Sequence, residues 1–322
     1  GLTLIGGLIT NDNGGSIRLG SGGSVDLTLI QCALMMNEAT HSITGGSGGG
    51  ILNKGGSLVV RRSVLDGNDA QRAGGGIESS AGSTEVFRTD LLGNDAGAAP
   101  GNGGGLHLTG AGTVDVAQST VSGNTAVEGG GLWNSSGGTF SISDTVVEGN
   151  TATGDAATQG GGGVYNDGVM TITGSTIDDN TATGASGSGG GVLNNGEGTN
   201  PAPLTIEDTT FDGNTSSRAG GAVETNAGTL VINDVDMTGN DTGAAPGNGG
   251  GLHVTGAATV TWDGGTVTGN NAANEGGGLW NSATGSITAT NLVVTGNTAP
   301  DGPDVFNVGG PFTLNGTPVP AS

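Results

Sequence analysis

The sequence predicts an all-β protein, a parallel β-solenoid of about eleven coils that forms a single domain over residues 1–322. One observation is an Asn that recurs along the chain every 26 to 34 residues. A second is a set of apolar positions at fixed distances in front of that Asn. A third is a run of Gly behind it that opens a further short strand.

Aligned on VLDGN, TVSGN, VVEGN and TIDDN, the marker falls at Asn37, Asn68, Asn94, Asn124, Asn150, Asn180, Asn214, Asn240, Asn270 and Asn297. Three positions earlier stand Leu34, Leu65, Leu91, Val121, Val147, Ile177, Phe211, Met237, Val267 and Val294, all apolar. Eight earlier the residues run from Leu29 and Val60 to Trp262 and Ala289, and ten earlier Thr84 alone is polar. That alternation has the period of a strand, not of a helix. Five earlier the residue is mostly small, as in Cys32, Ser63, Thr89, Ser119, Thr145, Ser175 and Thr209. The second marker reads GGGIL, GGGIE, GGGLH, GGGLW, GGGVY, GGGVL and GGAVE. Each unit is thus two or three short strands joined by Gly and Asn turns. No unit can bury its apolar face alone, and stacking supplies the partner. At ~4.8 Å per coil the stack is a rod of roughly 50 Å. The ten Asn then form a ladder that satisfies turn amides from coil to coil, a structural role helped by the tolerance of Asn for left-handed turns.

A longer period lies above the coil. GNDAGAAPGNGGGLHLTG at Gly93–Gly110 recurs as GNDTGAAPGNGGGLHVTG at Gly239–Gly256, an offset of 146 residues. Five coils were copied as a block, giving related segments at about 66–211 and 212–310.

Composition narrows the alternatives. Gly contributes 72 of 322 residues, which excludes an ordinary helical domain, since Gly in a helix interior costs about 1 kcal/mol. No G-x-y period supports collagen. With 29 acids against 7 bases the formal net charge is −22, which argues against nucleic acid or an anionic membrane as partner. No apolar run is long enough to insert in a membrane, and any secretion signal would lie outside this sequence. The acidity suits a salty exterior, so the expected localisation is extracellular or on the cell surface.

The GGGIL, GGGLW and GGAVE strands, paired with the turn Phe211-Asp-Gly-Asn214 and its aliphatic versions, resemble the repeats of the chlamydial polymorphic outer membrane proteins. They are also similar to bacterial and archaeal surface proteins known as right-handed parallel β-helix repeat proteins. The resemblance covers nearly the whole chain, with Leu, Val or Ile in most units where the chlamydial repeat has Phe. It implies a right-handed parallel β-helix, secretion, and surface display or adhesion.

The column after the first apolar residue of the Gly-run strand concentrates chemistry. It reads Arg18, Leu52, Glu78, His107, Trp133, Tyr165, Leu193, Glu224, His253, Trp280 and Phe306. Alternation puts it on the outer face, where His107, Trp133, Tyr165, Glu224, His253, Trp280 and Phe306 would form an exposed stripe for sugar stacking, docking or lateral packing. The other reading is a satellite core, with insertions such as Asp95–Asn102 and Thr153–Gln159 folded over the rings. Cys32, the single cysteine, sits in the small-residue column and is expected to be an inert inward thiol; His41 is near in sequence but in an insertion. Asp178-Asp179 is the nearest approach to a catalytic carboxylate pair, although neighbours on a strand face opposite ways. The turns Asp66-Gly67-Asn68-Asp69, Asp178-Asp179-Asn180 and Asp212-Gly213-Asn214 offer oxygen ligands to Ca²⁺ without the repeated motif of calcium-binding rolls. A Thr-rich outer column, of the kind that can bind ice, is interrupted by Glu85 and Asp115.

The expectation is therefore a non-enzymatic structural solenoid needing no cofactor, serving as a scaffold, adhesin stalk or fibre subunit. Gly1–Ile9 and Asp304–Leu314 show no helical cap, so the expectation is either head-to-tail stacking or caps that lie outside this sequence, with lateral self-association through the stripe, a glycan or a surface protein as further partners. The alternative is a carbohydrate-binding or polysaccharide-degrading β-helix.

Overall fold

The computed structural model describes residues 1–10, 12–20, 25–40, 45–97, 100–196, 202–244 and 246–322. His41 lies outside the described residues. Among them every regular element is a strand, and the strands stack in three sheets of 21, 10 and 11 members. The protein is a parallel β-solenoid of about ten turns.

One coil shows the path. Ser57–Arg61 and Val64–Asp66 enter the long sheet, Asp69–Ala70 the short sheet, and Ile77–Ser79 the sheet opened by the Gly run. The next coil repeats this in register, with Val60 beside Val86, Leu65 beside Leu91, and Ile77 beside Leu106. Two bends need left-handed backbone. The residue between the two long-sheet segments has φ between 47° and 78° from Arg62 to Asn291, and the residue before each marker Asn has φ between 50° and 71°. The second position is Gly in eight of ten units, because only Gly takes that conformation without steric cost. The Gly run has a further reason. A Cβ on Gly75 would lie 2.4 Å from the Asp95 carbonyl oxygen and 2.5 Å from that of Gly104, so neighbouring coils approach too closely for a side chain.

The apolar columns fill one continuous core along the axis. Burial of each Leu, Ile or Val contributes about 1.5–3 kcal/mol. Where one rung is oversized its neighbour shrinks: Trp262 is wholly buried beside Ala289 and donates Nε1–H to the Gly264 carbonyl at 2.8 Å. Thr84, the polar exception in its column, is satisfied by Asn53 Nδ2 at 3.2 Å and the Ser79 hydroxyl at 3.0 Å.

The C-terminal edge is partly closed. Phe312–Leu314 adds to the long sheet and turns back antiparallel onto Thr317–Pro318, and Ser322 bonds the Asn307 backbone. At the other end Leu2, Ile5 and Leu8 are exposed.

Candidate functional site

The Asn ladder forms as expected and is structural. In each pair from Asn37–Asn68 to Asn270–Asn297, one Oδ1 accepts both the backbone N–H and the Nδ2–H of the preceding Asn, as between Asn150 and Asn180 at 3.0 and 2.9 Å. The remaining Nδ2–H reaches back to a strand carbonyl, Val121 in the case of Asn150. The ladder ends on the Asp304 carboxylate, which accepts from Asn297 at 3.1 and 3.0 Å, and begins on the Gly7 N–H. These buried amides are consumed coil to coil, so the acidic turns that contain Asn68, Asn180 and Asn214 cannot offer them to Ca²⁺. Among the described residues no three His, Cys, Asp or Glu side chains converge as metal ligands.

Two further ladders were not read from the sequence. In the small-residue column a backbone N–H donates to the hydroxyl of the next coil, Cys32 to Ser63 Oγ at 3.0 Å and Thr89 to Ser119 Oγ at 3.1 Å. Cys32 ends that column as a buried thiol facing the Ile30 carbonyl. Asn134, Asn166 and Asn194 bond one another at 2.8 Å, in the column directly after the aromatic one. The repeated LWN, VYN and VLN carried that signal.

The aromatic column departs from the exposed stripe. Glu78, His107, Tyr165, Glu224, His253 and Phe306 are buried, and Trp133 and Trp280 are half-buried. The inward predecessors Ile77, Leu106, Leu132 and Leu252 do join the main core, so the column points away from it as alternation requires. What covers it is a line of bridging residues five positions earlier, Ser47 to Ala73 to Asn102 to Glu128 and then Gly160 through Asp301. The chain folds back at the left-handed Gly103, Gly129, Gly249 and Gly276, where an added Cβ would come within 2.7 to 3.0 Å of the Cβ of His107, Trp133, His253 or Trp280. The satellite-core reading is the one the structure shows, and Gly at those bends is what lets the cover close.

Cover and column are matched. Small residues stand opposite Glu and Tyr, whereas Glu128 and Glu275 stand opposite the indoles and accept Nε1–H of Trp133 at 3.3 Å and Trp280 at 2.9 Å. Burial pushes the Glu128 carboxyl up, opposed by hydrogen bonds from Trp133 and Gln159. The sequence signal is EGGGLW, present twice.

Along the column Glu, His, Trp and Tyr or Phe occupy successive rungs: Glu78, His107, Trp133, Tyr165, and again Glu224, His253, Trp280, Phe306. Ring centroids are 4.4 Å apart for His107–Trp133, 5.4 Å for Trp133–Tyr165 and 4.3 Å for His253–Trp280. In the first copy His107 Nδ1 lies 2.5 Å from Glu78 Oε2 and Thr109 donates to Oε1 at 2.8 Å. In the second copy Arg218 donates to both Glu224 oxygens at 2.8 and 3.1 Å, and Thr255 adds a third bond at 3.0 Å. Burial pushes both carboxyls up, but the facing His, with Thr109 and Arg72 in one case and Arg218 in the other, holds both below the usual carboxylate range.

Asp178 and Asp179 do not face opposite ways. Asp179 is at the left-handed bend, φ 50°, and a Cβ on Gly213 would meet Oδ1 of Asp179 at 2.5 Å and of Asp178 at 3.7 Å. Strand alternation stops at Asp178. Glu148 and Asp212 flank it on neighbouring rungs, and burial together with Asp179, Asp212 and Glu148 raises its carboxyl.

The Thr-rich column faces outward over most of its length, broken by Val59, Glu85, Asp115 and Val231. Its N-terminal part lines a groove of about 360 Å³ with Ser57, Ser83, Thr113 and Thr139. The chain matches no protein-family model, no curated protein and no solved structure, so its likeness to the chlamydial repeats rests on the repeat motifs alone.

Proposed function

We propose that this protein is a non-enzymatic structural solenoid of the cell surface or extracellular space, a scaffold, stalk or fibre subunit. The observation that supports the reading is the use of the column richest in chemistry. Its carboxylates are held by neighbouring imidazole or arginine groups and its indoles by the carboxylates of the cover, rather than converging on an open cleft. The motif resemblance to chlamydial surface repeats and the charge of −22 point the same way for localisation. Such a rod needs no cofactor, and its partners are a surface protein, a glycan or further copies of itself.

The test is a panel of polyuronates and neutral glycans presented to the purified protein. The expected result is no turnover. Cleavage of a glycan that is lost in the Asp178→Asn/Asp179→Asn variant, with the fold intact, would overturn the reading in favour of a polysaccharide-degrading enzyme. The groove on the long sheet favours glycan binding as the second reading, since hydroxyls and the Glu85 and Asp115 carboxylates line it. Binding that disappears in Glu85→Ala/Asp115→Ala would establish it.

A further inference from the structure

Charge is not spread evenly along the rod. Six of the seven bases lie in residues 1–88, beside 7 acids, while residues 89–322 carry one base and 22 acids. Three of the six bases meet on one feature, the bend between the two segments of the long sheet. There the pairs Arg61-Arg62, Phe87-Arg88, Ala117-Gln118, Ser143-Asp144, Thr173-Gly174, Glu207-Asp208, Asn233-Asp234 and Asp263-Gly264 stack rung upon rung as a ridge. The outer residue of each pair is exposed except Gly264. The ridge is basic at one end and acidic at the other.

The basic end runs against local preference. Arg62, Arg88 and Gln118 hold φ of 49° to 50° at a position that from Asp144 to Asn291 is Asp, Asn or Gly, the residues that take left-handed backbone most readily. A long side chain there costs about 1 kcal/mol or more. Arg61 pairs with Glu85, Arg88 lies 5.0 Å from the Phe87 ring and donates Nε–H to Gln118 Oε1 at 2.9 Å, and among the described residues Arg62 has no side-chain partner. At the far end Asp208 and Asp234 likewise have none.

We propose that this ridge is an interface with a second copy of the same chain, laid side by side and antiparallel. A two-fold axis between the rungs of Asp144 and Gly174 sets Arg61 and Arg62 against Asp263, Arg88 against Asp234, and Gln118 against Asp208. Each contact occurs twice, as a closed isologous pair requires. That register also keeps Asp144 from facing its own copy. A parallel alignment would set Arg on Arg and Asp on Asp. The inference rests on the self-association named in the proposed function and gives it a surface, a partner and an orientation.

The contact is electrostatic, so it is salt-sensitive. Sedimentation equilibrium of the full chain at low ionic strength is expected to show a dimer that dissociates in high salt. Arg62→Asp/Arg88→Asp is expected to weaken dimerisation roughly tenfold or more. It keeps the fold because Asp already fills this bend elsewhere. Asp208→Arg/Asp234→Arg is expected to do the same, and the four changes combined to restore the dimer. Spin labels fix the orientation, in a Cys32→Ser background. Labels at Gln118→Cys are expected about three rungs apart, roughly 15 Å of backbone, and labels at Asn291→Cys about nine rungs apart, roughly 43 Å. A monomer at low salt, failure of the fourfold swap to restore the dimer, or equal separations for the two labels would overturn the proposal. None of these outcomes bears on glycan turnover, so the non-enzymatic reading stands or falls separately.

Discussion

The two copies of the Glu-His-Trp module share a fold position and differ in how the buried carboxylate is held. In the second copy Arg218 grips both oxygens of Glu224, and His253 stands off at 3.5 Å. In the first, Arg72 turns to Ser47 Oγ at 3.4 Å and acts on Glu78 only through its field, while His107 closes to 2.5 Å. The consequence is visible at the far side of the ring. His107 Nε2 is buried without a hydrogen-bond partner. One sequence pattern, copied at an offset of 146 residues, thus supports two hydrogen-bonding solutions, and the arginine decides which. A buried carboxylate must be paired, but the partner can be exchanged.

The comparison breaks most severely at the carboxylates. Glu224→Ala and Glu78→Ala each leave buried donors unpaired and are expected to cost about 3–5 kcal/mol in denaturant unfolding. The arginines separate the copies: Arg218→Ala is expected to cost about 3 kcal/mol and Arg72→Ala under about 1 kcal/mol. Equal losses would mean that the two sites are held alike.

Acid tests both copies together. Each Glu has a folded pKa below its unfolded value of about 4.3, so the stability it contributes is full above that pH. It is lost as pH falls through the folded value. The double variant Glu78→Gln/Glu224→Gln is expected to show a shallower fall in stability below about pH 4.3 than the parent. The smallest expected effect is at the indoles. Trp280→Phe removes a 2.9 Å bond and Trp133→Phe a 3.3 Å bond, so costs of about 1 kcal/mol or less are expected, larger at Trp280.

The solenoid was legible because its signals are positional. A marker Asn, the apolar columns and the Gly run each follow from backbone period and close approach, which no tertiary context overrides. The cover over the aromatic column was not legible in the same way. Alternation says which face a side chain leaves by, and says nothing about what folds back over it. The clues were at five-residue spacing, Glu128 before Trp133 and Glu275 before Trp280, and they make sense only once the bend at Gly129 or Gly276 is known. Asp179 shows the limit from the other side. A rule for strands fails at the first residue beyond the strand, where φ turns positive.

The central claim is that the polar side chains of this rod hold coil to coil. The most direct test is native-state hydrogen exchange of the Asn side-chain amides, observed by NMR. The account predicts that the Nδ2 protons of Asn68 to Asn270 exchange only through global unfolding, whereas the side-chain amide protons of exposed Gln31 exchange at solvent rates. Fast exchange along the whole ladder, in a protein that keeps its β-sheet content, would contradict it.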